Sequence, residues 1–336
     1  MLVFALLATL AGACSKPREA PAKKGDRTEQ KKGEQKKLRF AVIPKGTTHE
    51  FWKSVHAGAV KASRELDVEI IWKGPLKEDD LKSQIDLVQS FTAQRVAGIA
   101  LAPLNDKALV SSVKQAGQAG TPVVIFDSPL ASPSYVLVAT DNRAAGRMAG
   151  ERMAKLVGSP AKVAVLRYQE GSASTRERED GFLEAIRAKP GIEIVSDNQY
   201  GGATTESAFS ASESLLLAKD AKSGKLQGVF TPNESTTFGM LLALEKAKLA
   251  GKVRFVGFDA SDKLVKAVEA GTIDALVLQD PFKMGYLAVK TLAESLEGKK
   301  PSARTDTGAK VVDKQNLADP AVREIIKPDL AKWLGP

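Results

Sequence analysis

The chain is 336 residues long with 43% hydrophobic residues, enough for more than the single core that one compact domain of this length would need. Its 49 Lys and Arg against 40 Asp and Glu give a formal net charge of +9, but residues 15–37 alone supply +5 of it, and the rest is spread without a long basic run, which argues against nucleic-acid binding. One cysteine, Cys14, and two histidines, His49 and His56, seven positions apart near one helix start, offer poor footing for a metal site or a nucleophile with its base.

In chain order, residues 1–13 form an apolar run interrupted only by Thr9 and free of charge. A bilayer core of about 30 Å needs roughly 20 such residues, and small side chains precede Cys14, so the segment reads as an export signal rather than a membrane span. Leu10-Ala11-Gly12-Ala13-Cys14 resembles a bacterial lipoprotein lipobox, which implies that the Cys14 thiol takes a diacylglyceryl group and becomes the mature N-terminus. The bulky residue stands four places before the cysteine where three is usual, and no basic residue precedes the apolar run. Residues 15–37 carry nine basic and four acidic side chains, two prolines and two glycines, a composition that reads as a solvated, disordered tether able to lie along an anionic membrane surface.

From Leu38 onward short apolar runs alternate with longer amphipathic ones, the pattern of repeated βα units and a mostly parallel sheet. Strands are predicted at 38–43, 68–72, 98–101 and 122–126, and in a second series at 162–166, 192–195, 228–231, 253–257 and 275–278. Helices with apolar residues at spacings of three and four are predicted at 51–66, 81–94 and 240–249. Two α/β domains follow, divided near Thr140 and Asp141, with Asp141 as the N-cap of a helix opening at Asn142.

Ligands of open parallel sheets bind beyond the carboxyl ends of the strands, and there this chain is consistently polar. The first strand runs into Pro44-Lys45-Gly46-Thr47-Thr48-His49-Glu50-Phe51-Trp52, the fourth into Asp127-Ser128-Pro129, and the first of the second series into Tyr168-Gln169-Glu170-Gly171-Ser172. Pro232-Asn233-Glu234, Phe258-Asp259-Ala260 and Gln279-Asp280-Pro281 follow later strands. Amides, carboxylates and a few cations beside aromatic faces suit a polyhydroxylated ligand, whose hydroxyls donate and accept while its C–H faces stack.

These runs, together with Thr121-Pro122-Val123-Val124-Ile125-Phe126-Asp127, Thr140-Asp141-Asn142, the stretch from Gly171 through Arg176 and Arg178 to Gly181-Phe182, and Val256-Gly257-Phe258-Asp259, occur in an order that resembles periplasmic sugar-binding proteins of the ribose, galactose and arabinose class. The likeness covers nearly everything from Leu38 to Asn316. It implies the type I periplasmic binding protein fold, two Rossmann-like lobes joined by a three-segment hinge, with an N-terminal lobe of 38–140 and 281–307 and a C-terminal lobe of 141–280 and 308–336. Hinge crossings are expected near Thr140, at 259–261 or a little after, and at 306–310.

The resemblance also implies site roles. Phe51 and Trp52 fall where the family sets aromatic rings against the sugar, Asp127 where a carboxylate accepts hydroxyl protons, and Arg176 where a cation reaches ligand oxygens. Asn233, Asp259 and Gln279 match polar groups of the second lobe and hinge. Lys45 matches arabinose binders, whereas His49 stands where ribose binders have asparagine. Ser128 replaces an arginine of ribose-type members, which argues against a simple ribose specificity. The implied partners are a monosaccharide, the permease of an ATP-driven importer and, through Cys14, a membrane face; no cofactor, metal or nucleic acid is expected, and the chain is expected to be a monomer.

Competing readings fare less well on the residues. A dinucleotide enzyme needs Gly-x-Gly-x-x-Gly after the first strand, and Pro44-Lys45-Gly46-Thr47-Thr48 is not that turn, nor a phosphate-binding loop. A sugar-responsive transcription regulator would carry its DNA-binding helices ahead of the first lobe, where this chain has a signal and tether. A sugar or quorum-signal sensor that presents its ligand to a chemoreceptor or sensor kinase shares every feature above and stays open at this point.

Overall fold

The computed structural model describes residues 37–335 apart from Pro133; the expected export signal, Cys14 and the expected tether up to Lys36 lie outside the described residues. The chain alternates β1 (Arg39–Ile43), α1 (Glu50–Glu65), β2 (Glu69–Trp72), α2 (Leu81–Ala93), β3 (Gly98–Leu101), α3 (Val110–Gln118), β4 (Val123–Phe126) and β5 (Val136–Ala139). The pattern then repeats with α4 (Asn142–Val157), β6 (Ala161–Arg167), α5 (Ala173–Arg187), β7 (Ile192–Tyr200), α6 (Thr205–Ala218), β8 (Gly228–Phe230), α7 (Glu234–Ala247), β9 (Arg254–Phe258), α8 (Asp262–Ala270) and β10 (Ala275–Gln279). Last come α9 (Pro281–Leu296), β11 (Arg304–Asp306), β12 (Ala309–Val312), α10 (Pro320–Ile326) and α11 (Leu330–Leu334).

The strands form two six-stranded sheets of equivalent order, β2-β1-β3-β4-β5-β11 and β7-β6-β8-β9-β10-β12. All pairings are parallel except β10 with β12. Helices cover both faces of each sheet, which is why inner strands such as Gly98–Leu101 and Ala275–Gln279 are buried at every position and read as continuous apolar runs.

Side-chain caps fix where helices begin. Asp80, Asp141, Asn233 and Asp280 each accept a backbone N–H from the first turn of the helix that follows, a contact that contributes about 1 kcal/mol. The Asn233 cap starts α7 at Glu234, six residues ahead of the expected 240, because the buried first turns are built from Ser235, Thr236, Thr237 and Gly239 rather than from residues with an apolar period. Three strands were not expected: β5 is a four-residue strand, and β11 and β12 are edge strands with exposed positions.

Glycine sets two close helix contacts. A Cβ on Gly58 would lie 1.9 Å from the Phe282 carbonyl oxygen and one on Gly285 1.9 Å from that of Val55, so α1 and α9 touch backbone to backbone. The same holds for α4 and α5, where Cβ atoms on Gly146 and Gly181 would lie 2.1 Å from the carbonyl oxygens of Arg178 and Arg143.

The chain passes from one sheet to the other between β5 and α4, between β10 and α9, and between β11 and β12. The second passage is at Asp280 and not at 259–261, because β9 and β10 are still neighbours in the second sheet. Thr140 Oγ1 and Thr307 Oγ1, 3.1 Å apart, join two of the crossings, and Asp306 Oδ1 accepts the Asp141 and Gly308 N–H groups at 3.0 and 2.9 Å. The terminal segment does not stay with the second lobe. Val322 of α10 packs into that lobe's core, but α11 lies on the first lobe, where the Arg64 guanidinium donates to the Lys332 and Trp333 carbonyls at 3.2 and 3.0 Å.

Candidate ligand-binding cleft

The carboxyl ends of both sheets face one cleft between the lobes. β4 and β9 hold equivalent places in the two lobes, and each is followed by an aspartate with left-handed backbone, Asp127 at φ 62° and Asp259 at φ 65°. Non-glycine residues rarely adopt that conformation, and where they do at a cleft the strain is commonly tied to function.

Lys45, directly beyond β1, is 3% exposed. Its Nζ lies 2.8 Å from Asp127 Oδ2 and donates to Ser174 Oγ of the other lobe at 2.9 Å. On the aromatic side, the Phe51 and Trp52 rings meet edge-on with centroids 4.9 Å apart. Trp52 Nε1 donates to Glu78 Oε1 at 2.7 Å, and His49 Nδ1 lies 2.9 Å from the same oxygen. Burial opposes charge on both partners, yet the contact outweighs it: the Glu78 carboxylate is held down at about 2 and the His49 imidazolium is pushed up to about 9, with Glu234 and Asp259 adding to the latter. Tyr168 O–H reaches Glu78 Oε2 from the second lobe at 2.8 Å.

The second lobe supplies a buried guanidinium. Arg178 donates from Nε to Asn142 Oδ1 at 2.8 Å and from Nη1 to the Pro232 carbonyl at 2.9 Å, stands 3.8 Å from Asp259 Oδ2, and lies over the Phe258 ring at 4.6 Å. The close α4–α5 contact at Gly146 and Gly181 brings its helix to Asn142. Asp259 Oδ1 accepts from Gln279 Nε2 at 2.7 Å, which leaves buried Gln279 Oε1 without a partner. Burial raises the Asp259 carboxyl and lifts that of Glu234 to about 7. Glu234 accepts the Phe51 N–H across the cleft at 3.2 Å, at a helix start whose own N-cap, His49, makes no side-chain cap.

Of the nine expected ligand-binding residues, Lys45, His49, Phe51, Trp52, Asp127, Asn233, Asp259 and Gln279 line this cleft. Arg176 does not. Its side chain is 47% exposed and pairs with Asp106 at 2.6 Å, because two steps along a helix rotate a side chain by about 200° and it is Arg178 that faces inward. Asn233 spends its carbonyl oxygen on Thr236 Oγ1 at 2.6 Å. Glu78, Tyr168, Ser172, Ser174, Thr175 and Glu234 also line the cleft. Tyr168, Ser172 and Glu234 stood in the polar strand ends, whereas Lys77-Glu78-Asp79-Asp80 reads as an ordinary charged loop.

The cleft thus holds cationic Lys45, Arg178 and His49 against the carboxyl groups Asp127, Asp259, Glu78 and Glu234, and every cation already faces a carboxylate. Among the described residues, no group of three His, Cys, Asp or Glu side chains is placed to hold a metal ion, and no helix is long and apolar enough to cross a membrane.

A family model, the periplasmic binding protein domain, matches residues 40–300. The chain belongs to this family. Among curated periplasmic binding proteins it is 30% identical to the ribose import binding protein of Haemophilus influenzae, over 78% of this chain and 87% of that one. Among solved members, an ABC transporter solute binding protein of Agrobacterium vitis with bound D-fucose shares 35% identity, with a TM-score of 0.82 over 86% of this chain and all (100%) of that one. A carbohydrate transporter solute binding protein of Agrobacterium radiobacter in complex with D-arabinose shares 31%, again with a TM-score of 0.82, over 87% and 100%. The two-lobed sheets and shared cleft are therefore those of a periplasmic binding protein.

Proposed function

We propose that this periplasmic binding protein captures a neutral monosaccharide by closure of its two lobes and delivers it to the permease of an ABC importer. The observation that carries the reading is the cleft itself: buried donors and acceptors from both lobes, Lys45, Asp127, Arg178, Asp259 and Gln279, line it together with the Phe51 and Trp52 rings. Such a site rejects ligands that leave its polar groups unpaired. Its charge balance selects against acids. Each cation is matched by a carboxylate, so a uronate or sugar phosphate would bury a negative charge without a free counterion. Arg178, rather than Arg176, takes the role of the cation that reaches ligand oxygens.

The cleft as described encloses a residual cavity of about 30 Å³, space for water rather than a pyranose. A sugar therefore enters with the lobes parted and, on closure, takes over contacts that cross-lobe pairs such as Lys45 with Ser174 now make. The receptor works outside the cytoplasm, as a monomer without a cofactor and not as an enzyme, held at a membrane face by lipidated Cys14 at the end of its tether. A thermal-shift panel of pentoses, hexoses, polyols and sugar acids tests the reading: a ligand that binds only the folded chain raises its melting point. A shift with a neutral sugar is expected, and no shift with any of them would overturn it.

A further inference from the structure

Glu78 enters the cleft from the loop between β2 and α2 and is 7% exposed. Its carboxylate takes three donors. Trp52 and His49, at 2.7 and 2.9 Å on Oε1, belong to its own lobe, and Tyr168 O–H, at 2.8 Å on Oε2, belongs to the other. Its main-chain carbonyl accepts Gln169 Nε2 at 2.8 Å, also from the second lobe. The first two contacts survive when the lobes part, whereas the contacts with Tyr168 and Gln169 cannot. Both of these join protein to protein and need no ligand as a bridge.

From this geometry we propose that Glu78 is a positioning residue that couples the aromatic wall of the cleft to lobe closure: it fixes Trp52 and His49 in place and, through Tyr168 and Gln169, holds the lobes together. The inference deepens the receptor reading and rests on it. Only a carboxylate suits the position, since all three side-chain partners donate and an amide would turn an N–H group toward one of them. Tyr168 is a dependable donor, because burial and then the neighbouring Glu78 charge push its phenol well above the usual range. The loop is tied to its own lobe by Thr47 Oγ1 on the Pro75 carbonyl at 3.3 Å and the Lys73 N–H on that of Val42 at 3.1 Å, so the contacts with Tyr168 and Gln169 act on the open-to-closed equilibrium.

The test compares the full chain with its Tyr168→Phe and Gln169→Ala variants by small-angle X-ray scattering without added sugar. Tyr168→Phe removes one oxygen and keeps the ring packing; Gln169→Ala, at a part-buried site, guards against a variant that fails to fold. Losing the Tyr168 bond to the charged carboxylate should shift the closed-to-open ratio by roughly tenfold toward open, and losing the neutral Gln169 bond should shift it by less, each seen as a larger radius of gyration of a chain that stays folded. Glu78→Gln should open the lobes likewise and also shift the Trp52 emission. In stopped-flow experiments with D-arabinose and D-allose, release should quicken by about tenfold, and association should hold or quicken because the sugar enters the open form. Scattering curves identical among wild type, Tyr168→Phe and Gln169→Ala would overturn the proposal. If neither sugar nor any member of the panel binds wild type, the receptor reading fails by itself, and the scattering comparison still decides the role of Glu78.

Discussion

Replacing Arg178 with methionine separates the geometry of the cleft from the sequence pattern that pointed to Arg176. Arg178 is 2% exposed, and its guanidinium donates to Asn142 and Pro232 while facing Asp259 at 3.8 Å. Methionine keeps the packing over Phe258 and removes the charge. Breaking a buried ion pair costs about 3–5 kcal/mol because the partner charge is stranded. Asp259 has a way to shed that cost: burial already raises its carboxyl, so it takes up a proton, and the loss of stability should sit near the lower end, about 3 kcal/mol. The ligand loses a charged donor as well, so affinity should fall by roughly tenfold to a hundredfold or more, the equivalent of about 1.5–3 kcal/mol. Arg176→Met is the matched control. Its side chain is 47% exposed and pairs across the lobes with buried Asp106, a half-exposed contact whose loss should cost less than that of the fully buried Arg178 pair. Urea unfolding and calorimetry on both variants give the answer. A larger loss of sugar affinity in Arg176→Met than in Arg178→Met would refute the placement of the cation.

His49, pushed up to about 9 in the fold from an ordinary 6.5, stabilises the protein fully below pH 6.5 and progressively less as pH rises through 9; urea unfolding should show this decline in wild type and a flatter profile in His49→Gln. Gly285→Ala would place a Cβ 1.9 Å from the Val55 carbonyl oxygen, forcing α9 off α1, and should lower stability by about 1–3 kcal/mol or more in thermal melts, whereas Gly117→Ala, in α3 with open space around it, should leave stability unchanged or raise it by up to about 1 kcal/mol. Trp52, 3% exposed at the cleft, should make intrinsic fluorescence respond to the bound sugar, a response absent in Trp52→Phe. Labelling of the expressed chain with radioactive palmitate should be lost in Cys14→Ala, and labelling that persists would remove the anchor.

The fold was legible because its inner strands are buried on both faces and so announce themselves as apolar runs, with Asp141 capping the helix that follows the first series. What escaped was marginal in the same physical sense: β5 and β12 are only four residues long, β11 is three residues with exposed ends, and the first turns of α7 are made of threonines and serine that no period reveals. At the cleft, residues directly beyond strands were readable, as with Lys45, Asp127, Asp259 and Gln279, since topology alone sends strand ends to the crevice. Arg176 and Arg178 could not be told apart by pattern, because which of two arginines on a charged helix faces inward depends on the helix rotation that Gly146 and Gly181 set. Glu78 gave no signal at all. It lies in a loop, and its role comes from donors contributed by α1 and by the segment after β6, which meet only in three dimensions.

Calorimetry on the purified full chain with neutral monosaccharides and their matching uronic acids tests the central claim most directly. The cleft predicts that at least one neutral sugar binds at micromolar strength or better, about −8 kcal/mol, and that its acid binds at least a hundredfold more weakly. Binding of the acid in preference to the neutral sugar, or no binding of any neutral sugar, would contradict it.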